Sequence, residues 1–173
     1  SDVEHLIFDD HVHVPLLFAG YNIPKDKVVH QLVRSMDIFP TISDLAILSG
    51  IMDNIDGRSL VPFMKDDILN ELPAYIESTP LMEIKTNDVI GIRTSKYKYF
   101  RDKDNSEKRI FLYDIQNDPH EDNNIASMNP SIVKEMENIL QNILKDKPIN
   151  PSSEVSDDDS SLIEEELKKL GYL

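Results

Sequence analysis

Between Tyr75 and Ile115 short apolar runs follow one another with short links, and this succession constrains the fold more than any other feature. The runs are Tyr75–Thr79, Val89–Thr94, Tyr97–Arg101 and Ile110–Ile115. Only Ser95-Lys96 separates the second from the third, and Asp104-Asn105-Ser106 supplies a turn before the fourth. Such runs with tight links predict an antiparallel meander. Asn129 and Pro130 then cap an amphipathic helix, with Ile132, Val133, Met136, Ile139, Leu140, Ile143 and Leu144 on one face. The helix is expected to pack across the meander.

The part ahead of the meander reads differently. Val12 to Gly20 is an apolar run stopped by glycine, the pattern of a buried strand in a parallel sheet. Tyr21 to Lys27 has loop chemistry, and Val28 to Val33 is expected to form a brief strand. Met36 to Leu48 has helical spacing, with Asp37 placed as a cap, Pro40 in the first turn and Gly50 as the stop. Ser59 to Met64 adds one or two helical turns. After Pro148 the composition shifts: Asn150 to Ser161 is rich in Ser and Asp and reads as a linker. Ser161 and Glu164 form a capping-box pattern for a last short helix that Gly171 ends. A chain of 173 residues is long enough for one ordinary domain with a real core. The expected division is 1–72 for an α/β portion, 73–148 for the small sheet with its helix, and 149–173 for an acidic linker and short helix.

Charge and composition exclude several classes of function. At a net charge of −14 the surface repels polyanions unless a local basic patch meets them, so nucleic acid and anionic membrane surfaces are poor partners. Without cysteine there are no disulfides, thiolate zinc sites or Cys nucleophile. No stretch approaches the roughly 18 apolar residues needed to span a bilayer. No phosphate-cradling glycine loop and no G-x-S-x-G elbow occurs. The chain thus reads as an acidic, soluble α/β piece without a complete active site. The first residue is Ser1 rather than Met, which leaves open a cut rather than a natural start.

The sharpest local cluster is Asp9-Asp10-His11-Val12-His13. On a strand, Asp9, His11 and His13 share a face, and carboxylate with imidazole suits a divalent metal. The plainer reading is a polar strand entrance satisfied by hydrogen bonds. His5, nearby, is a candidate for contacting substrate. Arg93, Lys96, Lys98, Arg101, Lys103, Lys108 and Arg109 make the meander basic inside an acidic chain. An anionic ligand or acidic neighbour could use them, but lysines that keep edge strands from aggregating are the commoner case. Interleaved Tyr97, Tyr99 and Phe100 read as core.

Several stretches together resemble the C-terminal part of the sulfatase family, in the alkaline phosphatase superfamily. Phe8 to Leu16 is similar to an aromatic–acidic segment leading into an "R/H-V-P-L" strand. Asp37 to Ala46 resembles "D-x-x-P-T-x-x-x-L-A", and Asp56-Gly57-Arg58-Ser59-Leu60 resembles "D-G-x-S-L". Ile92-Arg93-Thr94 with Tyr97-Lys98-Tyr99 looks like "I-R-T-x-x-x-K-Y". Leu112-Tyr113-Asp114 with Asn117, Asp118, Pro119, Glu121 and Asn124 looks like "L-Y-D-x-x-x-D-P-x-E-x-x-N". In this order the pieces cover residues 8 to 126.

The resemblance implies the end of an alkaline-phosphatase-like mixed-sheet domain followed by a small antiparallel sheet carrying a helix. It implies a parent that cleaves sulfate esters with a formylglycine nucleophile, made from Cys or Ser in "C/S-x-P-x-R", and a divalent metal, commonly calcium. Neither that motif nor the metal ligands occur in this chain, so no catalytic or metal residue is assigned and the piece alone is expected to be inactive. Its partners are then the sulfate-ester substrate of the parent and the N-terminal half of the catalytic domain. Exposed apolar surface is expected at Val14 to Phe18, where that half would join. The family's sulfate-binding basic residue precedes the aromatic–acidic segment, and His5 sits near that position with a one-residue offset. A phosphodiesterase or phosphonate monoester hydrolase of the same superfamily, or a non-catalytic interaction module, are the alternatives.

Overall fold

The computed structural model describes residues 7–47, 55–78 and 88–146. Its centre is a four-stranded sheet, β1 (Ala74–Ser78), β2 (Val89–Arg93), β3 (Tyr97–Asp102) and β4 (Phe111–Asp114), in sequence order and antiparallel throughout. The expected meander is present, with each strand placed within a few residues of its apolar run.

The register puts Ile76, Gly91, Phe100 and Phe111 side by side across the sheet. Because side chains alternate along a strand, this row shares one face with Val89 and Tyr113. That face is covered by Ile7 and Phe8. The Phe8 ring meets Phe100 and Tyr113 edge-on, each with centroids 6.1 Å apart, and Phe100 stacks on Phe111 at 4.8 Å. Gly91 is required by this close packing: a Cβ there would collide with the Tyr99 carbonyl oxygen and the Phe100 backbone.

The opposite face carries Ile90, Ile92, Tyr99, Arg101 and Leu112, and meets the helix α4 (Pro130–Asp146) that follows the sheet. Glu137 of α4 accepts from the Tyr99 hydroxyl at 2.8 Å and pairs with Arg101 at 3.1 Å. Met136 and Leu140, four residues apart on the helix, are buried beside it. The free edge of β4 is closed by the chain itself. The Leu112 N–H donates to the Asn124 side chain at 3.0 Å, and the Ile125 N–H donates to the Leu112 carbonyl at 2.9 Å. An edge so capped offers no template for strand addition. The chain divides into two compact units, Ser1–Gln141 and Asn142–Leu173; of the second, the described residues 142–146 are the end of α4.

Ahead of the sheet, three short helices replace part of the expected pattern: α1 (Asp9–Val12), a single turn, α2 (Ile38–Leu45), entered through a 3-10 turn at Ser35–Asp37, and α3 (Val61–Met64). The Met36–Leu48 helix is therefore found, shortened at its C-terminal end, while Gly50 and the linker and helix read after Pro148 lie outside the described residues. The buried strand expected at Val12–Gly20 is not formed, nor is the brief strand expected at Val28–Val33. Val14 is 70% exposed and Leu17 87%. A strand needs a neighbouring strand to satisfy its backbone, and no described strand pairs with this run. The expected exposure at Val14–Phe18 is what the structure shows, Phe18 alone being half-buried.

Replacing Gly91 with alanine should destabilise the chain by about 3 kcal/mol, the upper end for an overfilled core, because backbone rather than a flexible side chain blocks the new methyl. Urea unfolding followed by circular dichroism measures it, and a loss under about 0.5 kcal/mol, the usual range for neutral surface changes, would refute the packing account.

Candidate functional site: a buried four-charge cluster

Arg93 ends β2 and Lys98 lies directly opposite it near the start of β3. The link between them is a tight turn, closed by the Thr94 N–H donating to the Tyr97 carbonyl at 2.8 Å and the Tyr97 N–H donating to the Thr94 hydroxyl at 2.9 Å. Pairing across such a turn places both cations on the face that meets the Phe8 segment. Asp9 in the first helical turn receives them: Arg93 Nη2 donates to its Oδ2 at 2.9 Å and Lys98 Nζ to its Oδ1 at 2.9 Å.

Glu121 completes the cluster. It follows β4 in a loop held by the Asp118 carboxylate, which accepts the N–H groups of Asp122 and Asn123 at 3.1 and 2.8 Å. Its backbone takes the left-handed conformation, φ 57°. From there Oε2 accepts the Asp9 N–H at 2.6 Å, and Oε1 pairs with Lys98 at 2.8 Å. The side chain of Lys98 is wholly out of water and that of Glu121 is 2% exposed. Burial alone would raise the Asp9 pKa, but the hydrogen bonds from Arg93 and Lys98 outweigh it and hold the carboxyl below its ordinary 3.8. Burial and the nearby Glu121 charge push the Tyr113 hydroxyl up to about 12.

Two cations and two carboxylates leave the cluster neutral, so it has no surplus charge with which to capture an anion. Chemically it is a lock: removing one partner strands a charge in a dry site.

A second polar joint ties the Asp37–Thr41 and Gly57–Leu60 segments together. The Asp37 carboxylate accepts the N–H groups of Arg34 and Arg58, each at 3.0 Å, and pairs with the Arg34 guanidinium at 2.8 Å. Burial opposes its ionisation and those bonds prevail, lowering its pKa. Thr41 Oγ1 donates to the Asp37 carbonyl at 2.5 Å and accepts the Leu60 N–H at 2.9 Å. Gly57 passes so close to the Met36 carbonyl that no side chain fits.

The residues singled out by sequence fare unevenly. His5 lies outside the described residues. Asp9, His11 and His13 do not share a strand face: Asp9 turns into the cluster, whereas His11 and His13 are exposed. Among the described residues no group of three or more His, Asp or Glu is placed to hold a metal ion. The described residues therefore do not fit the calcium that the resemblance implies. Within the basic meander Arg93, Lys98 and Arg101 are not a solubility fringe, being buried and paired, whereas Lys96, Lys103 and Lys108 are exposed. Sequence reading missed the joint role of Asp9, Lys98 and Glu121, although each falls within a quoted motif.

A family model described as N-sulphoglucosamine sulphohydrolase, C-terminal, matches residues 3–147. Arylsulfatase K of Gallus gallus is 31% identical over 144 residues, covering 80% of this chain and 27% of that protein. Arylsulfatase K of Homo sapiens is 28% identical over 152 residues, covering 84% of this chain and 28% of its own length. Among solved structures, a protein in complex with its substrate D-glucosamine-2-N,6-O-disulfate is 25% identical, with TM-score 0.54, over 67% of this chain and 25% of that one. A 2-O GAG sulfatase is also 25% identical, with TM-score 0.54, over 63% of this chain and 24% of that one. The chain spans about a quarter of the length of the curated relatives it matches.

Replacing Lys98 with methionine should cost about 3–5 kcal/mol, the range for breaking a buried ion pair on one side, as read from chemical denaturation. The pH dependence has a definite sign. With its folded pKa depressed, Asp9 contributes stability that is fully present above 3.8 and is lost as pH falls through the lower folded value. Unfolding free energy should therefore drop on acidification below about pH 4, and less steeply in Asp9→Asn; identical slopes would contradict the assignment.

Proposed function

This chain belongs to the N-sulphoglucosamine sulphohydrolase C-terminal family and is the C-terminal portion of a sulfatase; from that premise we propose that it completes the catalytic domain of an enzyme that hydrolyses sulfate esters on carbohydrates. The observation that carries the reading is the family match over residues 3–147, running through both the leading segment and the small sheet. The carbohydrate assignment draws on the relatives, one bound to a sulfated glucosamine and one named for 2-O GAG sulfate.

In this proposal the formylglycine nucleophile, with calcium and the residues that hold it, belongs to the remainder of the polypeptide. The described residues of this chain contribute no nucleophile and no metal cage. What they contribute is structural completion. The small sheet takes Ile7 and Phe8 of the leading segment into its core, and the exposed run Val14–Phe18 supplies an apolar strand to the sheet of the remaining domain. Two features support that assignment: the run is exposed from Val14 to Leu17, and no described strand pairs with it. His5, ahead of the clamped Asp9, stands as the candidate sulfate-contacting residue.

Purified alone with an aryl sulfate and calcium, the chain should release no sulfate above the buffer rate, while the full gene product should turn over the ester and carry formylglycine detectable by peptide mass spectrometry. Turnover by the isolated chain, or a full-length product that cleaves phosphonate monoesters in preference to sulfate esters, would overturn the proposal.

A further inference from the structure

Asp9 is the last residue of the leading segment kept from water before an exposed stretch begins. Ile7 is buried and Phe8 half-buried on the aromatic face, but from Asp10 to Leu17 every residue is exposed. The direction in which the apolar run departs is therefore set at Asp9. Four charged groups from four different parts of the fold converge there: the helical turn, β2, β3 and the loop after β4.

The kind of force matters. Burying Ile7 and Phe8 is favourable in almost any orientation, because the hydrophobic effect is non-directional. Ion-assisted hydrogen bonds demand particular distances and angles. Here the constraints act on both the main chain and the side chain of one residue. Glu121 takes the Asp9 N–H, while Arg93 and Lys98 take the two carboxylate oxygens. A residue held at three points cannot swivel. Buried ion groups are weak evidence for stability, and setting registry is their best-attested use.

We propose that Asp9, Arg93, Lys98 and Glu121 form a positioning clamp that fixes the direction in which Val14–Phe18 leaves the small sheet and so presents it to a strand of the remaining catalytic domain. The identity of that strand's owner rests on the sulfatase reading above; the clamp itself does not.

The chain has no cysteine, so spin labels can be placed without removing native thiols. With His13→Cys and Glu107→Cys labelled in the full 173-residue chain, the distance distribution across the clamp should be a single narrow peak. Lys98→Met should make its width roughly double, as local opening releases the segment. Asp9→Asn, nearly the same size, provides the second variant should Lys98→Met fail to fold. A control pair, Glu107→Cys with Asn138→Cys, reports the sheet against α4 and should stay narrow in both variants. An unchanged width across the clamp would overturn the proposal, as would equal broadening of the control pair, which would mean general loosening. The strand's destination is read separately: full-length protein carrying Val14→Asp and Leu17→Asp should fail to assemble an active enzyme. Normal activity there would refute the destination while leaving the spin-label result intact.

Discussion

A lysine ammonium group removed entirely from water is the constraint on which the rest of this structure turns. Desolvating a cation costs several kcal/mol even after relaxation, and Lys98 is tolerated only because Asp9 and Glu121 both reach it. Each of those partners in turn needs special local structure. Glu121 needs a left-handed backbone and a loop pinned by Asp118. Asp9 needs its helical turn and the second cation, Arg93, which the strand register delivers opposite Lys98. The tight turn between β2 and β3 is thus as much a device for aligning two cations as a means of reversing the chain.

The sheet and its helix were legible because they are local. Apolar runs with short links, then an apolar stripe at helical spacing, predict both elements and their order. Burial of individual residues was harder to read. In Tyr97-Lys98-Tyr99-Phe100-Arg101, alternation would sort inside from outside if one face met water. Here Ile7 and Phe8 cover one face and α4 the other, so Lys98, Tyr99, Phe100 and Arg101 are all buried in succession. A covered sheet erases the period-two code, and a basic strand then looks like an exposed one. The cluster was illegible for a further reason: Asp9 meets Arg93, Lys98 and Glu121 across 84, 89 and 112 residues, and nothing in local pattern announces such a pairing.

The quoted motifs gain a physical meaning once they are seen in pairs. Asp37 and Thr41 present the acceptors that the Arg58 and Leu60 N–H groups require, and Gly57 exists to let that approach happen. Likewise Asp9, the Arg93–Lys98 pair and Glu121 are three motifs that make one joint. Each fragment alone is half of an interaction, which is why short matches carry little weight singly and much more in the right order. The apolar run at Val12–Gly20 is the exception. Hydrophobicity says that such a run is to be covered, but not by what, and the described residues do not cover it.

Charge supplies the last step. A sulfated sugar is an anion, and this chain offers it a net −14. The cations best placed to offset that, Arg93, Lys98 and Arg101, are spent internally on Asp9, Glu121 and Glu137. Pairing them leaves the surface acidic rather than making a basic path for substrate. On the sulfatase reading, attraction of the sulfate group must therefore come from the rest of the enzyme and its metal, with His5 the one candidate at this chain's leading end. On that reading the small sheet serves the active site through where it holds the chain, since its buried cations are already paired internally.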